Sequence, residues 1–263
     1  MTIRDFLAIR VLYFPASAGL LGWAMTLRHV LAPLILCLAA LALSGCSRSE
    51  TFRYRLTVEV ETPKGLRSGS SVLEVDVSET GENSITFPEA RGISTDVRGE
   101  AVAVDLPHGK VLFALLRSQE SADAAAGWPI DALKPLRPRG DYDYVRMVRA
   151  MKDMGELAVL PRMLPLAGQR QERSGYPMLV TFRDIDDPTS VELVDPDDLA
   201  ATFGEGVSLK RITVQMTDDP VTTGIEKRLV WLTGPRRLKM KAEDYPTIPL
   251  GNFHGLFSSE YNR

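Results

Sequence analysis

Cysteine and histidine are scarce in this sequence of 263 residues. The only two cysteines are Cys37 and Cys46, so the chain after Cys46 can form neither a disulfide framework nor a zinc site with thiolate ligands. Of the three histidines, His108 and His254 follow Cys46, and neither has a second histidine at metal-ligand spacing. These absences remove the common routes to a fold stabilised by disulfides or zinc.

An excess of positive charge is also missing. Residues 1–45 hold three basic side chains and one acidic one, so the chain from Cys46 onward has 28 basic and 33 acidic side chains, a formal charge of −5. A domain of this charge does not suit nucleic acid, whose phosphates demand a basic surface. The same charge argues against electrostatic docking on anionic lipid, so any membrane attachment has to come from another feature.

Signatures of common enzyme classes are absent as well. The sequence lacks the Gly-x-Ser-x-Gly motif of serine hydrolases, and Gly109-Lys110 is not followed by the serine or threonine of a phosphate-binding loop. Acidic residues cluster at Asp184, Asp186 and Asp187, but without the spacing of a calcium loop. A proline follows them, which favours a turn. We treat these three as weak metal candidates and predict no cofactor.

The N-terminal region contains the most specific pattern in the chain. From Met25 the sequence has a short basic start, then an uncharged apolar stretch over 30–43, then Ser44-Gly45-Cys46. The apolar stretch is too short to span a bilayer comfortably, and small residues precede the cysteine, which is typical of an export signal with a cleavage point. We therefore interpret residues 1–45 as a removable signal peptide.

Leu43-Ser44-Gly45-Cys46 resembles the lipobox of bacterial lipoproteins. The resemblance covers only this short segment. It implies cleavage between Gly45 and Cys46 and acylation of the Cys46 thiol. It also implies sorting to the periplasmic face of the outer membrane, because Ser47 instead of aspartate follows the cysteine. Several acyl chains would hold the protein durably, since each buried methylene contributes about 0.8 kcal/mol.

Residues 1–24 leave two alternatives open, because signal peptides are seldom this long. One is that translation begins at Met25 and that residues 1–24 are not part of the protein. The other is a true membrane helix over 11–27, followed by a Cys46 that carries no lipid. The mass of the protein extracted from membranes separates the two, because an acylated N-terminus at Cys46 supports the first and an unmodified longer chain supports the second.

A short tether is expected between the lipid and the folded domain. Patterned sequence begins near Thr51, so residues 46–50 are predicted to be the tether and residues 51–263 a single domain. At about 3.5 Å per residue, such a tether reaches at most about 15–20 Å. The domain is therefore expected close to the membrane surface.

Alternation of apolar and polar residues predicts the strands. Residues 52–61 alternate strictly, and residues 72–77 alternate again after a turn-rich stretch, which favours a hairpin. Two more hairpins and a further strand are predicted, at 101–106 with 111–116, at 178–185 with 191–194, and at 207–217. The run 111–116 is apolar on both sides and indicates a central strand.

Helices are expected at three places. Residues 141–154 change to a helical period. A short helix is predicted after Asp195, taken as its N-cap, and another after Thr223, which would form a capping box with Glu226. Residues 119–140 look irregular and are either a long loop or a domain boundary, of which we favour the loop.

These elements predict an α+β fold, mainly an antiparallel sheet built from hairpins with two or three packed helices. Strands do not alternate with long helices, so a doubly wound parallel sheet is not expected. Beyond the leader, the sequence resembles uncharacterised proteobacterial proteins, and that resemblance implies no function.

Two classes of function remain. The anchor, the short tether and the lack of catalytic motifs favour a non-catalytic interaction or assembly module, held at the membrane and contacting an envelope protein. The alternative is an envelope hydrolase that works through carboxylates in a cleft, because their separation cannot be read from sequence. A deep pocket with two close carboxylates of perturbed pKa would favour the enzyme, and a large exposed apolar patch the module.

Overall fold

The computed structural model describes residues 48–80, 92–133, 144–165, 171–234, 248 and 253–261. Its helices and strands follow the chain in the order β1 (Arg48–Glu61), β2 (Arg67–Thr80), β3 (Gly92–Arg98), β4 (Val102–Asp105), β5 (Val111–Ala114), α1 (Ala124–Leu133), α2 (Tyr144–Lys152), β6 (Ala158–Val159), β7 (Met163–Pro165), β8 (Glu172–Ser174), β9 (Leu179–Phe182), β10 (Val191–Val194), α3 (Leu199–Phe203) and β11 (Ser208–Met216). Short 3-10 turns follow β11. The sheets are antiparallel, which confirms the predicted α+β class. Within the described ranges, no helix has the length and apolar character needed to cross a membrane.

The first sheet has five strands in the order β3-β2-β1-β11-β6. β1 and β2 form the predicted hairpin, with Tyr54 opposite Leu73 and Phe52 opposite Val75. The alternating apolar residues of β1 are buried on one face, and the polar residues between them lie on the other. The period of two in the sequence therefore identified both the strand and its buried face.

β1 begins at Arg48, three residues before the predicted start of the domain at Thr51. Ser49 and Glu50 pair with Ser78 and Val77 of β2. The Glu50 carboxylate also contacts basic side chains of α2. Residues 48–50 carry no apolar alternation, because they lie at the end of the sheet, where backbone pairing and ion pairs replace core packing.

The second sheet has the order β10-β9-β5-β4 and contains the two other predicted hairpins. β5 lies inside this sheet and is buried on both faces, as its continuous apolar run predicted. β4 approaches β2 so closely that a Cβ at Gly69 would overlap the carbonyl oxygen of Ala103. Glycine at position 69 therefore lets the two sheets pack against each other.

Residues 119–140 are not irregular throughout, since 124–133 form α1. Proline inside a helix removes the amide that would bond to the carbonyl four residues earlier. Here Pro129 leaves the carbonyl oxygen of Ala125 without that donor, and the buried Tyr54 hydroxyl donates to it at 2.6 Å. A contact from β1 thus compensates a helix-breaking residue, which local sequence could not indicate.

Both predicted helix caps are wrong. α3 is capped by Asp198, whose carboxylate accepts from the Ala201 amide, while Asp195 accepts from the amide of Asp197 in the preceding turn. Residues 225–227 form a 3-10 turn without a side-chain cap from Thr223. A distant glutamate supplies acceptors there instead, as described below.

Two hydrophobic cores lie on opposite faces of the second sheet. The first core fills the space between the two sheets and includes α1 and α2, with Val145, Val148 and Met151 of α2 fully buried. This confirms the predicted helix over its described part. The second core packs the other face of the sheet against the 3-10 turns at 225–233 and 254–256. The described aromatic residues near the C-terminus close this second core.

Candidate functional site

A polar cleft of about 550 Å³ opens where β2 and β3 meet the segments that follow β11 and the C-terminal turns. Its lining combines carboxylates, one guanidinium and hydroxyl groups. The lining residues include Glu74, Arg98, Glu100, Thr222, Ser258 and Ser259. Two carboxylates of this cleft, those of Glu74 and Glu100, are almost completely buried.

Glu74 is placed in the cleft by β2, directly opposite Arg98 of β3. Its side chain points to the polar face of the first sheet, yet the residue is only 5% exposed. Its two carboxylate oxygens contact Arg98 at 2.7 Å and Arg53 of β1 at 2.6 Å. A buried charge is tolerated when it is paired in this way.

Glu100 lies just after β3 and is 4% exposed. Its two carboxylate oxygens accept from the backbone amides of Gly224 and Ile225, each at 2.9 Å. Burial raises the pKa of the Glu100 carboxyl, although both backbone hydrogen bonds oppose that shift. The negative charges of Glu226 and Glu260 raise it further.

Hydroxyl groups form another part of the wall. Thr222 accepts from the amide of Val72 at 2.8 Å, and Ser259 accepts from the amide of Gly99 at 3.0 Å. Gly99 has a φ of +138°, a conformation that favours glycine. Ser258 is fully buried, and its hydroxyl has no hydrogen-bond partner within the described residues.

The partners of the two buried carboxylates do not favour acid-base catalysis. A general acid or base has to reach the substrate and exchange a proton with it. Both oxygens of Glu74 contact guanidinium groups, and both oxygens of Glu100 accept from amides. The described ranges also contain no group of three histidine, cysteine or acidic side chains placed to hold a metal ion.

The predicted lipidation and cleavage positions, Cys46 and Gly45, lie outside the described residues. The weak metal candidates lie in the turn between β9 and β10. There Asp184 accepts from the Asp186 amide and Asp187 from the Thr189 amide, the contacts of a structural turn. Hydrogen bonds from Thr189 also lower the pKa of Asp187.

The two histidines after Cys46 lie in different parts of the fold. His108 has a φ of +65° in the turn between β4 and β5, where it lines a second cleft of about 620 Å³ with Asp184. His254 is buried against the ring of Trp231 in the second core. Neither lies in the cleft of Glu74 and Glu100.

Sequence reasoning missed the residues of this cleft. Glu74 occupies a polar position of an alternating strand and therefore looks like an ordinary solvent-facing residue. Glu100 follows a glycine and precedes an apolar strand, which gives no signal of a partner more than 100 residues away. The one available hint was Gly99, because a glycine next to a strand often marks a close approach of backbone.

No protein-family model, curated protein or solved structure matches this chain.

Proposed function

We propose that this chain is a lipid-anchored protein of the cell envelope, held on the periplasmic face of the outer membrane, and that its folded domain is a non-catalytic binding module. One observation supports the proposal most. The first described strand begins at Arg48, two residues after the cysteine of Leu43-Ser44-Gly45-Cys46. Cleavage before Cys46 would therefore leave β1 and its pairing with β2 intact.

The spacing also has a consequence for position. The first residue of β1, Arg48, is two positions after Cys46, a reach of at most about 7 Å. Acyl chains on Cys46 would therefore hold the end of the first sheet against the bilayer surface. The acyl chains provide the attachment that the net charge of the domain does not.

The contacts of the cleft support a binding module over a hydrolase. Glu74 and Glu100 are buried, and each oxygen of both carboxylates already has a protein partner. One feature favours the hydrolase alternative. The pKa of Glu100 is raised, and a general acid is expected to have a pKa shifted in that direction.

The anchor is tested by replacing each cysteine in turn. Cys46→Ala should abolish the acylated N-terminus in intact-mass spectra and release the protein from washed envelope fractions. Cys37→Ala is the matched control, because Cys37 lies in the leader and should be dispensable. Unchanged processing and membrane retention of Cys46→Ala would contradict the anchor, as would a longer unmodified chain in the parent protein.

The module is tested by site-specific photocrosslinking in cells. A crosslinker at Glu260, on the exposed rim of the cleft, should capture a defined envelope component, whereas one at the exposed Glu205, away from the cleft, should not. Equal adducts at both positions would argue against the cleft as a binding site. A captured component that is cleaved with time, but not by a Glu100→Gln variant, would favour the hydrolase.

A further inference from the structure

We infer that Ile93 contacts the lipid bilayer and that the first sheet stands with one end on the membrane. This inference rests on the proposed lipid anchor at Cys46. It adds a contact between the folded domain and the membrane that the anchor by itself does not require.

The register of the first sheet carries the inference. Arg48 is opposite Glu79, and Glu79 is opposite Ile93, so these three residues form one row across β1, β2 and β3. We call this row the anchor-end row. Neighbouring strands lie about 4.8 Å apart, so the backbone of Ile93 is about 10 Å from that of Arg48. Cys46 is only two residues beyond Arg48.

Ile93 is one of six exposed large apolar residues among those that the structure describes, and it lies in the row nearest Cys46. Every second residue of β3 shares a face, and Val97 on the same face as Ile93 packs against the first core. Ile93 lies beyond the end of that core and is 48% exposed. A large apolar side chain is therefore presented to the surroundings at the level of the sheet closest to the anchor.

The polar groups at this end already pair with one another. Glu79 approaches Arg48 at 4.0 Å, and Glu50 contacts both Arg149 and Lys152 of α2. These pairs leave little net charge for attraction to anionic lipid. Contact with the bilayer therefore depends on burial of Ile93 at the boundary of headgroups and acyl chains, and it should be insensitive to salt.

The opposite end of the hairpin provides a matched control. Leu66 lies in the turn between β1 and β2 and is 51% exposed, close to the value for Ile93. Glu79 of the anchor-end row is thirteen positions after Leu66. This separation corresponds to about 40 Å along β2. A sheet that stands on the membrane keeps Leu66 far from lipid.

The experiment places a fluorescent probe at each end. The variants Ile93→Cys and Leu66→Cys each carry one free thiol, because Cys37 is removed with the leader and the Cys46 thiol is acylated under the proposed function. Each is labelled with an environment-sensitive nitrobenzoxadiazole dye. The acylated protein is then placed in phosphatidylethanolamine–phosphatidylglycerol vesicles that contain spin-labelled lipid quencher.

We expect several-fold stronger quenching at position 93 than at position 66, unchanged between low and high salt. A third probe is attached at Ser94→Cys, which is exposed on the other face of β3. It controls for a structural defect caused by the substitution at position 93, and it should also be quenched more strongly than the probe at position 66. Equal quenching at the two ends, or stronger quenching at position 66, overturns the inference. Intact mass measured first separates the two claims: an unacylated Cys46 overturns both, whereas an acylated protein with an unquenched position 93 overturns this one alone.

Discussion

The two hydrophobic cores share the second sheet but differ in the side chains that form them. The first core consists mainly of aliphatic side chains from long strands and from α1 and α2. The second core contains, besides aliphatic side chains, a cluster of five aromatic rings whose neighbouring centroids lie between 5.3 and 5.8 Å apart: Phe113, Phe182, Trp231, Phe253 and Phe257. Three of these five residues come from 3-10 turns or the residues flanking them.

The difference shows what holds irregular backbone in place. Strands and α-helices satisfy their own amides and carbonyls, so the first core needs little beyond apolar packing. The turns of the second core depend on particular side chains: Glu100 accepts from two amides, and the Trp231 indole donates to the Ile185 carbonyl at 3.0 Å. Single substitutions should therefore affect the second core through hydrogen bonds as well as through packing.

The largest effect is expected from Phe257→Ala. Phe257 is fully buried and contacts four other rings of the cluster. Removal of a buried phenyl group lowers the free energy of unfolding by about 3–5 kcal/mol, because apolar contacts are lost and a cavity remains. Urea unfolding measures the change, and Val230→Ala, an exposed position in the same region, should have little effect.

Phe257→Ala also tests whether the two cores unfold in one cooperative transition. In a chain that begins at Cys46, one tryptophan reports on each core, Trp128 on the first and Trp231 on the second. Because both cores use β5 and β9, we expect the two fluorescence transitions of Phe257→Ala, read in Trp128→Phe and Trp231→Phe backgrounds, to have the same midpoint. An earlier transition at Trp231 would show that the second core unfolds on its own.

Glu100→Gln should have the next largest effect. Glutamine keeps one carbonyl oxygen, so one of the amides of Gly224 and Ile225 loses its acceptor in a buried place. An unsatisfied buried group of this kind costs about 1–3 kcal/mol. Chemical denaturation gives the loss, and hydrogen exchange at 224–225 should locate it; unchanged protection of both amides would contradict this account.

The pH dependence of this effect has a definite sign. The pKa of Glu100 is raised in the folded protein, so the folded state binds this proton more tightly than the unfolded chain does. The stability that it contributes is complete below the ordinary value of about 4.5 and is lost as pH rises through the folded value. The stability difference between the parent protein and Glu100→Gln should therefore be widest at acidic pH and narrow as pH rises.

The two cores also differ in how much of their structure the sequence predicts. The period of two in 52–61 and the helical period around Val148 identified elements of the first core, because each period reports a buried face directly. Residues 223–226 resembled a capping box, but the acceptors come from Glu100, more than 100 residues earlier. The cleft depends on the same long-range contacts, so its members carry no local signal.

Asp198 is a helix cap beside the first core. Like Glu100 it accepts from a backbone amide, but that amide is close to it in the sequence. Asp198 accepts from the amide of Ala201 at the start of α3, three residues away. Asp198→Ala should lower the free energy of unfolding by about 0.5–2 kcal/mol, typical of a lost N-cap. Asp195→Ala, which disrupts only the preceding turn, should cost less. Equal losses in thermal unfolding would contradict Asp198 as the main cap, and a larger loss for Asp195→Ala would make Asp195 the more important one.

The smallest effect, and the opposite pH dependence, is expected from an acid on the outer face of the first sheet. Glu59 of β1 accepts two hydrogen bonds from Arg211 of β11, at 3.0 and 2.8 Å, which lower the pKa of Glu59 below its ordinary value of 4.5. Because solvent screens such pairs, Glu59→Gln should cost less stability than Asp198→Ala. A lowered pKa means that the contribution of Glu59 is present above pH 4.5 and is lost as pH falls through the folded value. Unfolding measured from pH 3 to 7 should therefore show the Glu59→Gln difference shrinking toward acid, whereas the Glu100→Gln difference grows, and the same trend in both variants would contradict the assignment of Glu100 as a buried, desolvated carboxyl.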